Sequence, residues 1–143
     1  MKKALVFVFL TAFGCKTENL SAVDQNLGTD FTLKLNQQTQ VDGIKLSFDE
    51  VADSRCPSNA QCIRAAEVVV DLNVNVQQKV KMCLGECQFV QPDRKKGFVT
   101  QDSLDVTINS KKYLFILKQV NPYPTTTTTP KENYEVKMQV VRL

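Results

Sequence analysis

Alternation with a period of two governs the chain from residue 31 onward. Phe31, Leu33 and Leu35 alternate with Thr32 and Lys34, and Ile44, Leu46 and Phe48 repeat the pattern beyond Asp42-Gly43. Such alternation sends apolar side chains to one face of a strand. Asp-Gly between two alternating runs predicts a tight hairpin, because both central residues of a type I′ turn need positive φ. The clearest strand is 67–76, where Val68, Val70, Leu72, Val74 and Val76 face one way. Glu67, Asp71, Asn73 and Asn75 face the other, with Val69 the apolar exception. That is a half-buried strand with one wet face. Gln77-Gln78 turns the chain into Val80, Met82 and Leu84, and Leu104, Val106 and Ile108 form a further strand. Asn109-Ser110 is a turn, and the strand from Tyr113 to Val120 contains YLFIL, apolar on both faces, which predicts a central position. Tyr134, Val136, Met138 and Val140 make the last strand.

About seven strands and no helix after the N-terminus predict an all-β fold, an antiparallel β-sandwich open to an immunoglobulin-like arrangement. A small barrel is the alternative. The chain of 143 residues, 43% apolar, suits one domain with a real core. The loop 88–102 is rich in charge, and Asn121-Pro-Tyr-Pro124 with Thr125 to Thr129 and Pro130 makes a stiff connection.

The N-terminus reads differently. Lys2-Lys3 precede a ten-residue apolar run, Ala4 to Phe13, about half the length a bilayer span needs. Gly14-Cys15 follows, and the whole resembles a bacterial lipoprotein signal with Cys15 as the acylated residue. Ordinary secretion is the alternative, since Ala12-x-Gly14 also spells a small-residue cleavage site. The division is a signal peptide at 1–14, lipidated Cys15 and a polar tether to residue 30, and a β-sandwich domain over 31–143. Removing residues 1–14 leaves 16 basic side chains against 15 acidic ones, nearly neutral and scattered. No clustered basic patch suggests a nucleic-acid partner.

Five cysteines are an odd number for an exported chain, and a lipid on Cys15 leaves four to pair. In an oxidising compartment Cys56, Cys62, Cys83 and Cys87 read as structural disulfides. A zinc site is weighed against this, but Cys56 and Cys62 have five residues between them, wider than usual zinc spacing. A redox pair at Cys83-Leu-Gly-Glu-Cys87 has one intervening residue too many and no helix signal after it. If 67–76 and 79–84 pair about Gln77-Gln78, partner numbers sum to 155 and Cys83 lies opposite Leu72. Cys87 then lies near Val68, and Cys62 is six residues further on, about 20 Å if extended, beyond the roughly 7 Å that a disulfide spans between Cα atoms. Local pairing, Cys56 with Cys62 and Cys83 with Cys87, is the economical solution.

The stretch Asp53-Ser-Arg-Cys-Pro, four residues, then Cys62-Ile63, followed by Ala65-Ala66-Glu67 and an alternating strand, resembles a family of small bacterial secreted proteins and lipoproteins. Members carry Ser-Arg-Cys-Pro-x4-Cys-x-Trp-Ala-Gly here. Asn121-Pro-Tyr-Pro124, Tyr134 and the final strand are also similar. Arg64 stands where the pattern has Trp, and Ala66 where it has Gly. The resemblance implies fold and location, and no activity.

With no His, the commonest general base and metal ligand is missing. Asp49-Glu50 and Asp53 are the nearest approach to a catalytic carboxylate pair, against the simpler reading of solvated acids beside a turn. We therefore expect no catalytic residues, no metal and no cofactor. The expectation is a binding or interaction module of the cell envelope, anchored by lipid to a bacterial membrane, the outer membrane in a two-membrane envelope. Its partner is another envelope protein or ligand. Candidate loops are 53–64, 85–102 and 121–131, with Arg55 and Arg64 as contact residues and Arg94-Lys95-Lys96 as a further basic stretch. A protease inhibitor presenting the 56–62 loop is the alternative, and an envelope enzyme the more distant one. Thr125 to Thr129 as a glycosylated stalk and Asp102-Ser103-Leu104 as a modification site are weak signals set against plain loop and strand.

Overall fold

The structure is a computed structural model that describes residues 24–94 and 97–143. The expected signal peptide, the expected lipidation site Cys15 and the first part of the expected tether lie outside the described residues, as do Lys95 and Lys96. The described strands are β1 (Asp24–Gln25), β2 (Asp30–Lys34), β3 (Gln38–Val41), β4 (Ile44–Asp53), β5 (Glu67–Val74), β6 (Gln78–Gly85), β7 (Asp102–Ile108), β8 (Lys111–Asn121) and β9 (Glu135–Arg142). One sheet has the order β1-β3-β4-β5-β6 and the other β2-β9-β8-β7. All pairings are antiparallel except β1 against β3.

The β-sandwich is as expected, but its sheet order is not that of an immunoglobulin domain. From β2 to β9 the strands follow one another in chain order around the core, an up-and-down ring flattened into two sheets. Greek-key crossings would be needed to reach the immunoglobulin order. Here the chain changes sheet only at corners. At one, Leu35 N–H donates to Tyr134 O in the second sheet (2.9 Å), and the next residue, Asn36, donates to Phe48 O in the first (2.7 Å). Asn36 has φ +63°, which a short polar side chain tolerates. At the other corner Gly85 and Val99 exchange both backbone hydrogen bonds at 2.8 Å. The domain also reaches further back than residue 31. β1 lies along β3, and Gly28 N–H donates to Val140 O (2.8 Å), so residues 24–30 join the sandwich although they read as tether.

The alternation does what it predicts. Phe48, Val68, Val70, Leu72, Met82, Phe115, Leu117, Val136 and Met138 are fully buried between the sheets. At about 25 cal/mol per Å² of apolar surface this interleaved core is the main stabilising term. β8 is an interior strand of its sheet, as its two-sided apolarity requires. Asp42 (φ +50°) and Gly43 (φ +76°) close a two-residue hairpin with Val41 opposite Ile44. Asn109 and Ser110 do the same between Ile108 and Lys111. Bulges reset the phase in β4 between Phe48 and Glu50, and between β8 and β9 at Leu117–Gln119. Asp49-Glu50 therefore sit in a bulge within a strand rather than beside a turn. On the outer face of the second sheet, Asp30 accepts from Lys118 (2.6 Å) and Lys137 (3.3 Å), linking β2 to β8 and β9.

One turn differs from expectation. β5 and β6 pair with Val69 opposite Cys83 and Val74 opposite Gln78, so partner numbers sum to 152 and not 155. The turn is Asn75-Val76-Gln77, and Val76 leaves the buried row to stand 77% exposed. It adopts φ +66°, a left-handed conformation that costs a β-branched residue about 1–2 kcal/mol. Val76→Gly should produce the Asn-Gly pair that type I′ turns favour. We expect it to raise the unfolding free energy by about 1 kcal/mol and the midpoint by about 4 °C, read by calorimetry. An unchanged or lowered midpoint would show that the turn relaxes otherwise.

Candidate functional site

The four described cysteines form two local disulfides. Cys56–Cys62 and Cys83–Cys87 each have Cα atoms 5.9 Å apart. Both lie at the end of the sandwich where β4, β6 and β8 finish and β5, β7 and β9 begin, here the stapled end. The first closes an exposed loop between β4 and β5. The second joins the buried Cys83 of β6 to a short 3-10 turn at Cys87–Phe89, holding it against the sheet. Pairing was predicted correctly, but the register beneath it was not. Cys83 lies opposite Val69, and Cys87 has already left the strand.

Arg55 was expected to be a contact residue, and it is instead a buried fastener. Its side chain is 9% exposed and that of Asp53 4%. Arg55 donates from Nε to Asp53 Oδ1 (2.9 Å) and from its terminal nitrogens to Asp53 Oδ2 (2.6 Å), Val120 O (3.0 Å) and Pro122 O (3.0 Å). Its guanidinium lies 4.6 Å from the centre of the Tyr123 ring. Tyr134 hydroxyl donates to Asp53 Oδ2 (3.0 Å). The geometry follows from the strand period: two residues on from Asp53, Arg55 lies on the same side and turns back to make a bidentate pair. Asp53 thus belongs to a structural ion pair and does not converge with the exposed Asp49 and Glu50.

Arg64 occupies the surface. Its side chain is 47% exposed, donates to Glu86 Oε2 (2.8 Å) and Glu67 Oε2 (3.4 Å), and stacks 3.8 Å from the centre of the Phe89 ring. Glu86 also accepts from Ala66 N–H (3.2 Å). Ala66 has φ +56°, and a Cβ added to Gly85 would meet Ala66 O at 2.3 Å, so these two backbones pass at a distance only glycine allows. Asn59 clamps the third loop: its Nδ2 donates to Thr126 Oγ1 (2.8 Å) and its Oδ1 accepts from Thr126 N–H (2.9 Å), while Ser58 N–H donates to Pro124 O (3.0 Å). The three loops expected to carry function are therefore brought together and tied to one another.

The edge of β6 is also closed here. Cys83 N–H donates to Asp102 Oδ2 (2.9 Å), Lys81 O accepts from Arg94 (3.0 Å) and Gln91 (3.3 Å), and Arg94 pairs with Asp102 at 3.1 Å. Sequence reading passed over Asp102 as a structural residue, although an acid at the start of a strand beside a basic loop was a signal for it. An open groove of about 430 Å³ runs beyond this point between β6, residues 90–94 and β7. Among the described residues no group of three or more His, Cys, Asp or Glu is placed to hold a metal ion.

What distinguishes the stapled end is its exposed apolar matter. Among the described residues the exposed large hydrophobic ones are Ile63, Phe89, Val90, Phe98, Tyr123, Val76 and Leu143, and the first five lie in the three loops 53–64, 85–102 and 121–131. Ile63, next to Cys62, has no cover at all. Neither this row of tips nor the part played by Tyr123 was singled out from sequence. Comparisons with protein-family models, curated proteins and solved structures return no match.

Two predictions follow the ion pair. Arg55→Ala strands a buried carboxylate and should lower the unfolding free energy by about 3–5 kcal/mol. Arg64→Ala, at an exposed pair, should cost about 1 kcal/mol or less. Urea melts of both variants test this, and equal losses would cancel the assignment. The second concerns alkali. Burial foremost, then the Asp53 charge, holds the Tyr134 hydroxyl above the ordinary phenol range. Burial and then its hydrogen bond to Asp42 do the same for Tyr113. An unfolded tyrosine ionises near pH 10, so above about that value the unfolded chain has lost protons that the native state retains. The stability these hydroxyls contribute is full below about pH 10 and falls as pH rises through their raised values. Denaturant melts at stepped pH should show this fall, and a Tyr113→Phe, Tyr134→Phe variant should flatten it.

Proposed function

We propose that this protein is a lipid-anchored component of a bacterial cell envelope, tethered through Cys15, that acts by binding and not by catalysis. Its recognition surface is the stapled end, and its partner is another envelope protein or ligand. The observation that carries this reading is that, among the described residues, five of the seven exposed large hydrophobic ones gather on three loops locked by disulfides and side-chain clamps. Loops fixed before contact lose little conformational freedom on binding, which favours recognition.

Further support comes from what the residues are engaged in. The four thiols of the domain are in disulfides, so they supply no thiolate nucleophile. The lipid anchor rests on the short apolar leader ending at Gly14-Cys15, on the odd cysteine left after the two disulfides, and on the resemblance to small secreted proteins and lipoproteins. Where the resembling pattern carries Gly, Ala66 has a left-handed φ, a conformation that Gly adopts without cost.

The test has two arms. In a bacterial host, wild type should partition into the detergent phase and Cys15→Ala into the aqueous phase; equal partition would remove the lipid anchor. A photo-crosslinking amino acid placed at Ile63 should capture a neighbour in intact cells, and the same group placed at Val76, at the opposite end, should not. Equal capture from both positions would remove the stapled end as the contact surface.

A further inference from the structure

We infer that two copies of this chain pair through the free edge of β7, antiparallel about Val106, into one continuous sheet. This surface is separate from the stapled end. The starting point is a set of main-chain groups that the fold leaves without partners. Asn109-Ser110 closes a two-residue turn, so Ile108 and Lys111 exchange hydrogen bonds, and every second residue back from Ile108 does the same with β8. Lys112 O fixes the phase, because it accepts from Leu143 N–H on the other side of β8 (2.9 Å). Ser103, Asp105 and Thr107 therefore turn their N–H and C=O groups away from the sheet. Among the described residues nothing bonds to the outward groups of Asp105 or Thr107.

The other outermost strands are blunted. β1 has only two residues. On β2, Lys34 N–H donates to Gln37 Oε1 (3.1 Å) and Lys34 O accepts from Gln37 N–H (3.0 Å). β6 is covered from Lys81 to Gly85 by Gln91, Arg94, Asp102 and Val99. β7 from Ser103 to Ile108 contains no proline, no lysine and no bulge. An edge without such devices is a template for another strand.

The edge itself specifies a second copy as that strand. Under a two-fold axis at Val106, Asp105 faces Thr107 of the second copy, and Thr107 faces its Asp105. Each pair exchanges both main-chain hydrogen bonds, so the free residues of one copy satisfy those of the other. On the outer face the Asp105 carboxylate meets the Thr107 hydroxyl. Sliding one strand by two residues would set Asp105 against Asp105, which like charge disfavours. The groove of about 430 Å³ between β6 and β7 receives the second strand. Lys79 and Asp105 line it, and neither forms an ion pair with a described residue. Cys83 is bonded to Asp102 and the two strands run in opposite directions, so Lys79 stands level with Val106 and Thr107. That is where Asp105 of the second copy arrives, giving the lysine its counter-charge. Leu104, partly buried at the groove wall, gains cover from Ile108 of the second copy. Antiparallel pairing points the two stapled ends in opposite directions, so one dimer offers two contact surfaces.

Sedimentation of full-length protein carrying Cys15→Ser, which takes the anchor out of the measurement, tests this. With the β7 edge unchanged it should give a concentration-dependent dimer. Thr107→Pro deletes an N–H that the pairing with β8 does not use, so the fold should melt as before while the dimer weakens about tenfold or more. Asp105→Lys, at an exposed position, should weaken the dimer as well, and adding Lys79→Asp should restore it. Ile63→Asp, at the stapled end, should leave it unchanged. A monomer at every concentration overturns the inference, and so does a dimer that withstands Asp105→Lys or is lost with Ile63→Asp. If Thr107→Pro lowers the melting temperature, the charge exchange decides: restoration by Lys79→Asp supports the pairing and no restoration overturns it. Failure of the dimer leaves the proposed function standing, since that is read by capture at Ile63.

Discussion

The ion pair between Asp53 and Arg55 is the constraint on which the stapled end depends. β4 delivers the carboxylate, the guanidinium returns to it, and the remaining donors of Arg55 satisfy Val120 O of β8 and Pro122 O just beyond its end. Tyr134, at the threshold of β9, adds its hydroxyl to the same carboxylate. One charge pair thus joins the last residue of a strand in one sheet to two strands of the other. Buried pairs of this kind contribute little net stability against an apolar alternative, but they are costly to break and tolerate few alternative geometries. Their effect here is to fix where the 54–66 and 122–134 loops start, so that the clamp between Asn59 and Thr126 meets in register.

The same logic operates at the β6 edge, with different chemistry. An open strand edge invites pairing with other chains. β6 meets this with a side-chain carboxylate on Cys83 N–H, side-chain donors on Lys81 O and a backbone bridge from Gly85 to Val99. The Cys83–Cys87 disulfide pulls the 3-10 turn onto the outer face and so keeps Gln91 and Arg94 within reach of that edge. Its short loop gives it little leverage on the unfolded chain's entropy. It acts chiefly on shape, holding Phe89 where Arg64 can stack on it.

Much of the sandwich was legible because a half-buried strand must alternate, and Phe31 to Val140 does so with few exceptions. Turn chemistry was legible where it was strong: Asp42-Gly43 and Asn109-Ser110 form the turns they spell. It failed where it was weak. Asn75-Val76 contains a β-branched residue in a left-handed conformation, so propensity pointed to Gln77-Gln78 and the register slipped by three. Sheet order was not legible either, because alternation says which face is buried and nothing about which strand lies beside which. Asp24–Gln25 was missed since two polar residues cannot show a period. Arg55 was misplaced for a related reason: a sequence shows an arginine between polar neighbours, and only the return of β8 and β9 to the end of β4 shows that its donors are all directed inward.

Arg55 and Arg64, nine residues apart, separate two tasks that the sequence alone leaves merged. Arg55 spends its hydrogen bonds on the protein and fixes the loops. Arg64 spends fewer, remains half in solvent, and lends its flat face to Phe89. Because the first makes the loops rigid, the second and the neighbouring Ile63 are presented in one arrangement. A rigid frame also explains how an uncovered isoleucine can be held out in water. Cys62 is tied to Cys56, whose backbone N–H is bonded to Ala65 O (2.9 Å), so the chain on both sides of Ile63 is held. Collapse of Ile63 onto the sandwich would have to break that bond. The exposure of the tip is therefore a consequence of the fastenings beneath it, and a surface that can receive Ile63 recovers the burial the fold denies it.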